Sequence, residues 1–305
     1  MKTEITINDA DLASLKDKVV VVTGGSCGIG LATVNLLVSL GAFVVSGDII
    51  APPPTSSDRL IYQRTDVTSW TELSALFKKA KALHGRIDHV FANAGIPART
   101  TYTEDAVDEN GDLLEPSHRV VDVDLRAVIN TTALAVFYMK PERQQGGGSI
   151  TLTASAASLQ RFRGADYGKQ LTPPPDSREG RQADGGAAVA KHGVLGLMRG
   201  VQPNLRRQGV AVRVNTVNPS WTATGIVPAG LLEAIGARAQ APEAVARSVG
   251  LLMADAARDG QALYSVEQAV LLPAAAEGIV GVGRMGEDEA FGRMAERAAA
   301  TGWVS

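Results

Sequence analysis

The chain has 305 residues, 45% of them apolar and 20% charged, which is typical of a globular protein with a large core. The 30 Lys and Arg residues nearly balance the 32 Asp and Glu residues, and the net charge of −2 argues against nucleic-acid binding and a polybasic membrane anchor. The single cysteine, Cys27, excludes an intrachain disulfide, and the four scattered histidines show no metal-ligand spacing. Residues 1–17 lack the apolar stretch of a signal peptide, and no apolar run approaches a membrane span. We therefore expect a soluble, cytoplasmic protein without a metal.

Predicted strands and helices alternate along the chain. The predicted strands are 19–22, 42–45, 60–62, 87–92, 149–153, 210–217 and 263–266. The predicted helices are 28–40, 69–83, 120–139, 189–205, 242–253 and 288–300, and Pro203 is expected to kink or loosen the last turn of its helix. This order predicts a single α/β domain, a doubly wound Rossmann-type parallel sheet with helices on both faces. The domain is predicted over residues 18–305, after an N-terminal extension of residues 1–17.

One segment interrupts this alternation. Residues 169–188 read KQLTPPPDSREGRQADGGAA, with three prolines, three glycines and a single large aliphatic residue, Leu171. Such a composition cannot bury enough apolar area to offset the entropy of ordering it. The segment is therefore predicted to be an atypical insertion in the domain.

A glycine-rich turn lies between the first predicted strand and the first predicted helix. Its glycines allow a tight turn and a close approach of the backbone to a pyrophosphate, which the helix N-terminus would also attract. An ordinary strand-to-helix loop would explain three glycines equally well. Cys27 stands at the predicted helix N-terminus, where its pKa could be lowered, although a small residue that fits the turn is the simpler interpretation. If the turn binds a dinucleotide, the residues expected to contact it are Gly24, Ser26, Cys27, Gly28, Ile29 and Gly30.

Asp48 ends the second predicted strand, 18 residues after Gly30. A carboxylate at this position can accept hydrogen bonds from the adenosine ribose hydroxyls and would repel a 2′-phosphate. Because no Lys or Arg lies between Thr23 and Asp48, the sequence favours NAD over NADP. Asp66 and Val67, after the third strand, could meet the adenine edge, but a turn that leads into a helix explains them as well.

Several motifs in combination resemble the short-chain dehydrogenase/reductase family. The spacing of Gly24, Gly28 and Gly30 matches its glycine turn, and Asn93-Ala94-Gly95 matches its second signature. Residues 215–219, NTVNP, resemble its nicotinamide-binding turn, for which we expect Val217, Pro219, Thr222 and Thr224 to contribute. The segments FANAGI, KHGVLGLMR and NPSWTATGIVP look most like those of fungal secondary-metabolism dehydrogenases.

The resemblance implies a reaction and the residues that perform it. In the family, a deprotonated tyrosine takes the hydroxyl proton of an alcohol as hydride moves to NAD, a lysine lowers the pKa of that tyrosine, and a serine binds the reacting oxygen. Ser155 matches the serine, and Tyr167 matches the tyrosine, twelve residues later. Tyrosine titrates near 10 unaided, so a base near neutrality needs a close positive charge.

The lysine departs from the family pattern Tyr-x-x-x-Lys. Leu171 stands four residues after Tyr167, and the lysine that fits its context is Lys191. Removal of residues 169–188 would restore the motif as Tyr167-Gly168-Val189-Ala190-Lys191. The segment is therefore either a genuine surface insertion, which loop-closure entropy permits, or a retained intron. If the insertion separates Tyr167 from Lys191, the protein would bind NAD with impaired or no catalysis. A third alternative is a purely structural module, which would bind no nicotinamide dinucleotide.

Asp124 stands where the family pattern has an asparagine that belongs to the proton relay behind the lysine. An ionised aspartate accepts hydrogen bonds but cannot donate them as an amide does. Its negative charge should oppose ionisation of Tyr167 and should slow turnover or make the pH optimum more alkaline.

The substrate is expected to be a hydrophobic secondary alcohol or ketone, such as a polyketide or terpenoid intermediate. This expectation rests on the apolar residues that follow the nicotinamide turn, although a short helix that covers the core would explain them too. The predicted wall consists of Trp221, Ile226, Val227, Pro228, Leu231 and Leu232, with Phe162 opposite. The resemblance further implies a homodimer or homotetramer, assembled through helices such as 120–139 and 189–205.

Overall fold

The computed structural model describes residues 4–97, 105–144, 146–159, 186–225, 239–266 and 269–272, and these form one nine-stranded sheet. The strands are β1 (Glu4–Ile5), β2 (Val19–Thr23), β3 (Phe43–Asp48), β4 (Leu60–Arg64), β5 (His89–Ala92), β6 (Gly148–Thr153), β7 (Val212–Pro219), β8 (Ala262–Ser265) and β9 (Ala269–Leu272). Seven of them pair in parallel in the order β4-β3-β2-β5-β6-β7-β8. The predicted doubly wound parallel sheet is confirmed.

Helices cover both faces of this sheet. They are α1 (Gly28–Ser39), α2 (Trp70–His84), α3 (Ala127–Met139), α4 (Gly186–Arg207) and α5 (Pro242–Ala254). One core lies between the sheet and α2, α3 and α4, and a second lies between the sheet and α1 and α5. The strands are buried on both sides, which explains why β2 is the unbroken apolar run VVVV before Thr23.

The order of the strands reverses at β2. The chain passes from β2 outward to β3 and β4, and then returns to β5 on the other side of β2 and continues to β8. Helices on either side of such a reversal leave a crevice at the carboxyl ends of the strands, where α/β proteins bind their ligands. The fold thus brings the ends of β2, β3, β5, β6 and β7 to one edge.

The predicted N-terminal extension packs against the domain from residue 4 onward. Strand β1 pairs with β9 in antiparallel fashion, and β9 pairs likewise with β8. A 3₁₀ helix, Asp9–Leu15, buries Leu12 and Leu15 completely against α1 and α5. The sequence predicts neither β1 nor β9, because the two residues of β1 are too few to show an alternation and the short apolar run AVLL of β9 is equally compatible with a helix.

Three helix predictions need correction. The helix predicted over 120–139 contains a π-helical turn at Asp122–Arg126. Helix α4 runs to Arg207, two residues beyond its predicted end, and includes Pro203. It also begins at Gly186, inside the segment predicted to be an insertion. Two alanines follow Gly186, and their high helix propensity lets them extend a helix whose later turns pack in the core. The predicted helix 288–300 lies outside the described residues.

Candidate active site

The glycine turn and the second signature meet at the carboxyl ends of β2 and β5. Asn93 donates a hydrogen bond from Nδ2 to the carbonyl of Gly24, over 2.9 Å. Gly24 has a φ of +70°, and a Cβ atom there would lie 2.7 Å from the Cα atom of Ala94. A Cβ atom on Gly30 would overlap the carbonyl oxygen of Gly24. Only glycine fits at both positions, so this packing explains the two signatures structurally, whatever they bind.

The N-terminus of α1 opens toward the turn that follows β7. Cys27 occupies the N-cap position with extended backbone, and its side chain makes no capping hydrogen bond. The first-turn N–H groups of such a helix can bind a phosphate. A Cβ atom on Gly28 would lie 3.2 Å from the Cγ2 atom of Thr224, so the two turns approach each other closely at this point. The first-turn N–H groups of α1 fit the pyrophosphate of a dinucleotide.

Asp48 is fixed at the carboxyl end of β3, beside the glycine turn. Its Oδ2 atom accepts a hydrogen bond from the backbone N–H of Ser26 (3.0 Å), and its Oδ1 atom accepts one from that of Ile50 (3.2 Å). The Ser26 hydroxyl donates to the carbonyl of Ile50 (2.7 Å) and so ties the two loops together. The carboxylate is therefore oriented before any ligand binds, and each oxygen retains a further lone pair for a hydroxyl group.

The Cys27 thiol is not activated. Partial burial and the negative charge of Asp48 both raise its pKa above the ordinary value. The lowered pKa that a helix N-terminus could give Cys27 is therefore not found, and the simpler interpretation, a small residue that fits the turn, stands.

Asp66 stabilises its own turn. Its Oδ1 atom accepts hydrogen bonds from the backbone N–H and the hydroxyl of Thr68, at 2.9 and 2.7 Å. These bonds hold the pKa of the Asp66 carboxyl below its usual value. Val67 is almost fully buried. The structure thus gives Asp66 a local role, and its contact with adenine stays a prediction.

Lys191, on α4, lies beside the carboxyl end of β6. Its Nζ atom donates to the carbonyl of Thr153 (3.2 Å) and forms an ion pair with Oδ2 of Asp124, also at 3.2 Å. The two charged side chains are 14% and 3% exposed, so water screens this pair weakly. Ser155 follows Thr153 by two residues, and its hydroxyl accepts a hydrogen bond from the N–H of Ala157 (3.1 Å). Three of the four predicted catalytic residues are thus placed on neighbouring elements.

The π-helical turn explains how Asp124 reaches this position. It widens the helix before α3 by one residue and directs a buried carboxylate inward. The Oδ1 atom of Asp124 accepts the backbone N–H of Ile96 (2.9 Å), directly after the Asn93-Ala94-Gly95 signature. The segment DVDL indicates the residue in sequence, but no local pattern predicts the π turn.

The turn after β7 carries the remaining predicted cofactor residues. Thr222 is buried, and its hydroxyl donates to the carbonyl of Ser220 (2.8 Å). The Val217 side chain is fully buried in the core against α1 and α5, so it supports the strand. Sequence reasoning missed Gln240, which the structure places against this turn. The segment that contains it, AQAP at residues 239–242, matches no recognisable motif.

Some predicted residues lie outside the described part of the chain. These are Tyr167, Phe162 and the wall residues from Ile226 to Leu232, for which the predictions stand as made. Among the described residues, no three His, Cys, Asp or Glu side chains form a group that could hold a metal ion. None of the helices that the structure describes has the length and apolarity needed to cross a bilayer.

Comparison with known proteins identifies the family. A family model described as short chain dehydrogenase matches residues 18–168 and ends directly before the segment 169–188. The short-chain dehydrogenase/reductase ascJ of Acremonium egyptiacum is 45% identical, and the alignment covers 96% of each chain. The short-chain dehydrogenase/reductase prx4 of Penicillium rubens is 36% identical over 82% of this chain and 68% of its own. The aldohexose dehydrogenase AldT of Thermoplasma acidophilum, 23% identical, has the same fold with a TM-score of 0.64 over 83% of this chain and 93% of its own. The chain belongs to the short-chain dehydrogenase/reductase family of oxidoreductases.

Proposed function

We propose that this protein is an NAD-dependent dehydrogenase/reductase that interconverts a hydrophobic secondary alcohol and its ketone. The observation that carries the proposal is the joint position of Asp48, Ser155 and Lys191 at the carboxyl edge of one sheet, on both sides of the strand reversal. Asp48 would hold the adenosine end of a dinucleotide, and Ser155 and Lys191 would face its nicotinamide end.

The family and the Rossmann-type fold imply a nicotinamide nucleotide cofactor. The preference for NAD rests on the oriented carboxylate of Asp48, which two backbone N–H groups hold in place. A 2′-phosphate beside it would meet a negative charge, and the glycine turn and α1 carry no basic residue to neutralise that phosphate. The uncapped N-terminus of α1 would bind the pyrophosphate.

Bound NAD would supply the hydride acceptor. In our proposal, Tyr167 takes the hydroxyl proton of the alcohol as general base. Lys191 favours the phenolate form of Tyr167 by its positive charge, and the Thr153 carbonyl and the Asp124 carboxylate keep its Nζ atom in place. Ser155 donates its hydroxyl hydrogen to the reacting oxygen and holds it at the correct distance. The segment 169–188 must then leave Tyr167 next to Lys191.

The substrate class remains the hydrophobic alcohol or ketone that the sequence predicts, with Trp221 and the apolar residues after it as one wall of the pocket. The relatives from Acremonium and Penicillium support a place in fungal secondary metabolism. NAD preference favours the oxidative direction.

Binding and turnover experiments test the proposal. Titration of the full chain with NADH and NADPH should show that NADH binds at least about tenfold more tightly, as expected for one misplaced charge. Asp48→Asn should reduce this discrimination, whereas Asp58→Asn, the same change on an exposed loop, should not. NADH formation from a panel of hydrophobic secondary alcohols then tests the reaction. Equal affinity for both nucleotides would refute the cofactor preference.

A second candidate, an NAD-binding protein without turnover, is favoured by one observation. The Asp124 carboxylate contacts the Lys191 ammonium and offsets the positive charge on which a tyrosine base depends. NADH binding together with no oxidation of any alcohol, in the full chain and in a form without residues 169–188, would support this candidate.

We also propose that the protein forms a homodimer or homotetramer through α3 and α4. Ile129 and Phe137 on α3 and Val189 on α4 are large apolar side chains that are 42%, 46% and 58% exposed. Exposed apolar residues on adjacent helices are typical of a contact between subunits. Light scattering of the purified chain measures the assembly.

A further inference from the structure

A buried glutamine holds the nicotinamide turn, residues 219–225. Gln240 is only 5% exposed. Its Nε2 atom donates to the hydroxyl of Thr222 (3.2 Å) and to the carbonyl of Ser265 at the end of β8 (2.7 Å). Its Oε1 atom accepts from the hydroxyl of Ser265 (3.3 Å). The side-chain amide therefore uses its donors and its acceptor to link the turn to the sheet.

The backbone of Gln240 is attached to the same turn. Its N–H donates to the carbonyl of Trp221, and its carbonyl accepts from the N–H of Ala223, both at 2.9 Å. The N–H of Ser220 donates in turn to the carbonyl of Ser265 (2.8 Å). Since the turn is not part of a helix or a paired strand beyond Pro219, these contacts set its geometry.

We propose that Gln240 is a positioning residue for the nicotinamide half of the cofactor. The inference rests on the proposed binding of NAD. The turn follows β7, and Val217 of β7 pairs with Thr153 of β6, whose carbonyl binds Lys191, so the turn borders the end of the site where the nicotinamide would lie. The adenosine half would bind at Asp48, and three strands separate β3 from β7 in the sheet. Gln240 should therefore affect one half of the cofactor and not the other.

The test compares two ligands on the full chain. Gln240→Met keeps the unbranched shape and volume of the side chain but removes its hydrogen bonds. Calorimetry should show that NADH binds up to about tenfold more weakly to this variant, the factor expected when the hydrogen bond that joins Nε2 to the turn at Thr222 is lost. The affinity for ADP-ribose, which has the adenosine and pyrophosphate but no nicotinamide, should stay the same.

Gln202→Met is the matched control. Gln202 is a buried glutamine on α4 that donates to Asp259 (2.6 Å), near the amino end of β8 and away from the turn. Its replacement should lower the melting temperature but leave the affinities for NADH and ADP-ribose unchanged. The ratio of the two affinities therefore separates positioning of the nicotinamide from a general loss of stability.

The remaining outcomes are also informative. An equal loss for NADH and ADP-ribose, or no loss for either, overturns the inference. If Gln240→Met does not fold, Ser265→Ala is used instead, because it removes the hydroxyl that donates a hydrogen bond to Oε1 of Gln240. With this variant, a loss of affinity for NADH alone supports the inference, and an unchanged affinity for NADH overturns it. An unmodified chain that binds neither nucleotide overturns the proposed function itself, and with it this inference.

Discussion

Replacement of Asp124 by asparagine should move the acid limb of the pH–rate profile to lower pH. The carboxylate lies 3.2 Å from the Lys191 ammonium; Asp124 is buried, and the Lys191 side chain is only 14% exposed. A cation within about 4–6 Å lowers the pKa of an acid by about 1–3 units, and an adjacent anion cancels part of this effect. Asp124→Asn removes the anion, so the pKa of the Tyr167 phenol should fall.

We expect the variant to reach half-maximal kcat/KM about one pH unit lower, which corresponds to roughly tenfold more activity on the acid limb. Asp124 uses one carboxylate oxygen for the N–H of Ile96 and the other for the Lys191 ammonium. Asparagine has a single side-chain oxygen at this place, so it loses one of these two contacts. The variant should therefore also be less stable, by less than the roughly 3–5 kcal/mol typical when a fully buried ion pair loses one partner.

The assay is initial-rate oxidation of the best alcohol from the panel, with saturating NAD, across the pH range in which the protein stays folded. Asp122→Asn is the matched control, since Asp122 lies on the same π turn but pairs with Arg126 (2.9 Å) at the surface. Identical profiles for Asp124→Asn and the parent would refute the electrostatic argument. A shift of equal size in the control would show that the effect comes from net charge alone.

Three further predictions concern stability, reactivity and assembly. Burial lowers the pKa of His89 to about 3, so below about pH 6.5 the unfolded state binds a proton that the folded state does not. The free energy of unfolding, measured by urea titration, should therefore fall as the pH is lowered, with a slope approaching 1.4 kcal/mol per pH unit. A free energy of unfolding that stays constant between pH 7 and about pH 5 would contradict this. Cys27, with its raised pKa, should react with iodoacetamide at neutral pH more slowly than free cysteine, as timed mass spectrometry would show; faster labelling would contradict the argument. Phe137→Glu should shift light scattering toward smaller species, and an unchanged mass would remove α3 from the interface.

The regular part of the fold could be predicted because its signals are local. The run VVVV of β2, the cap at Ser69 and the helical spacing in α2 each specify an element within a few residues, and the alternation of these elements implies a parallel sheet. Ser69 directly precedes α2, and its hydroxyl accepts the N–H of Glu72 (3.3 Å), which is the contact by which a serine caps a helix N-terminus.

The features that sequence reasoning missed depend on distant partners. The π turn at Asp124 is coupled to Ile96 and Lys191, which lie on other elements. Gln240 contacts Thr222 and Ser265 together only because the end of β8 lies next to the turn that follows β7. The pKa of Cys27 is raised first by burial and then by the charge of Asp48, which lies at the end of β3. Such contacts follow from tertiary packing, which no local pattern encodes.

The distance between the Tyr167 hydroxyl and the Lys191 ammonium tests the central claim most directly. It should be measured in a crystal structure of the full chain with bound NAD. The account predicts a separation within about 4–6 Å, the range over which a positive charge lowers the pKa of a neighbouring acid. A separation well beyond this range, with NAD in place and Lys191 still paired with Asp124, would contradict the account and favour a protein that binds the cofactor without turning it over.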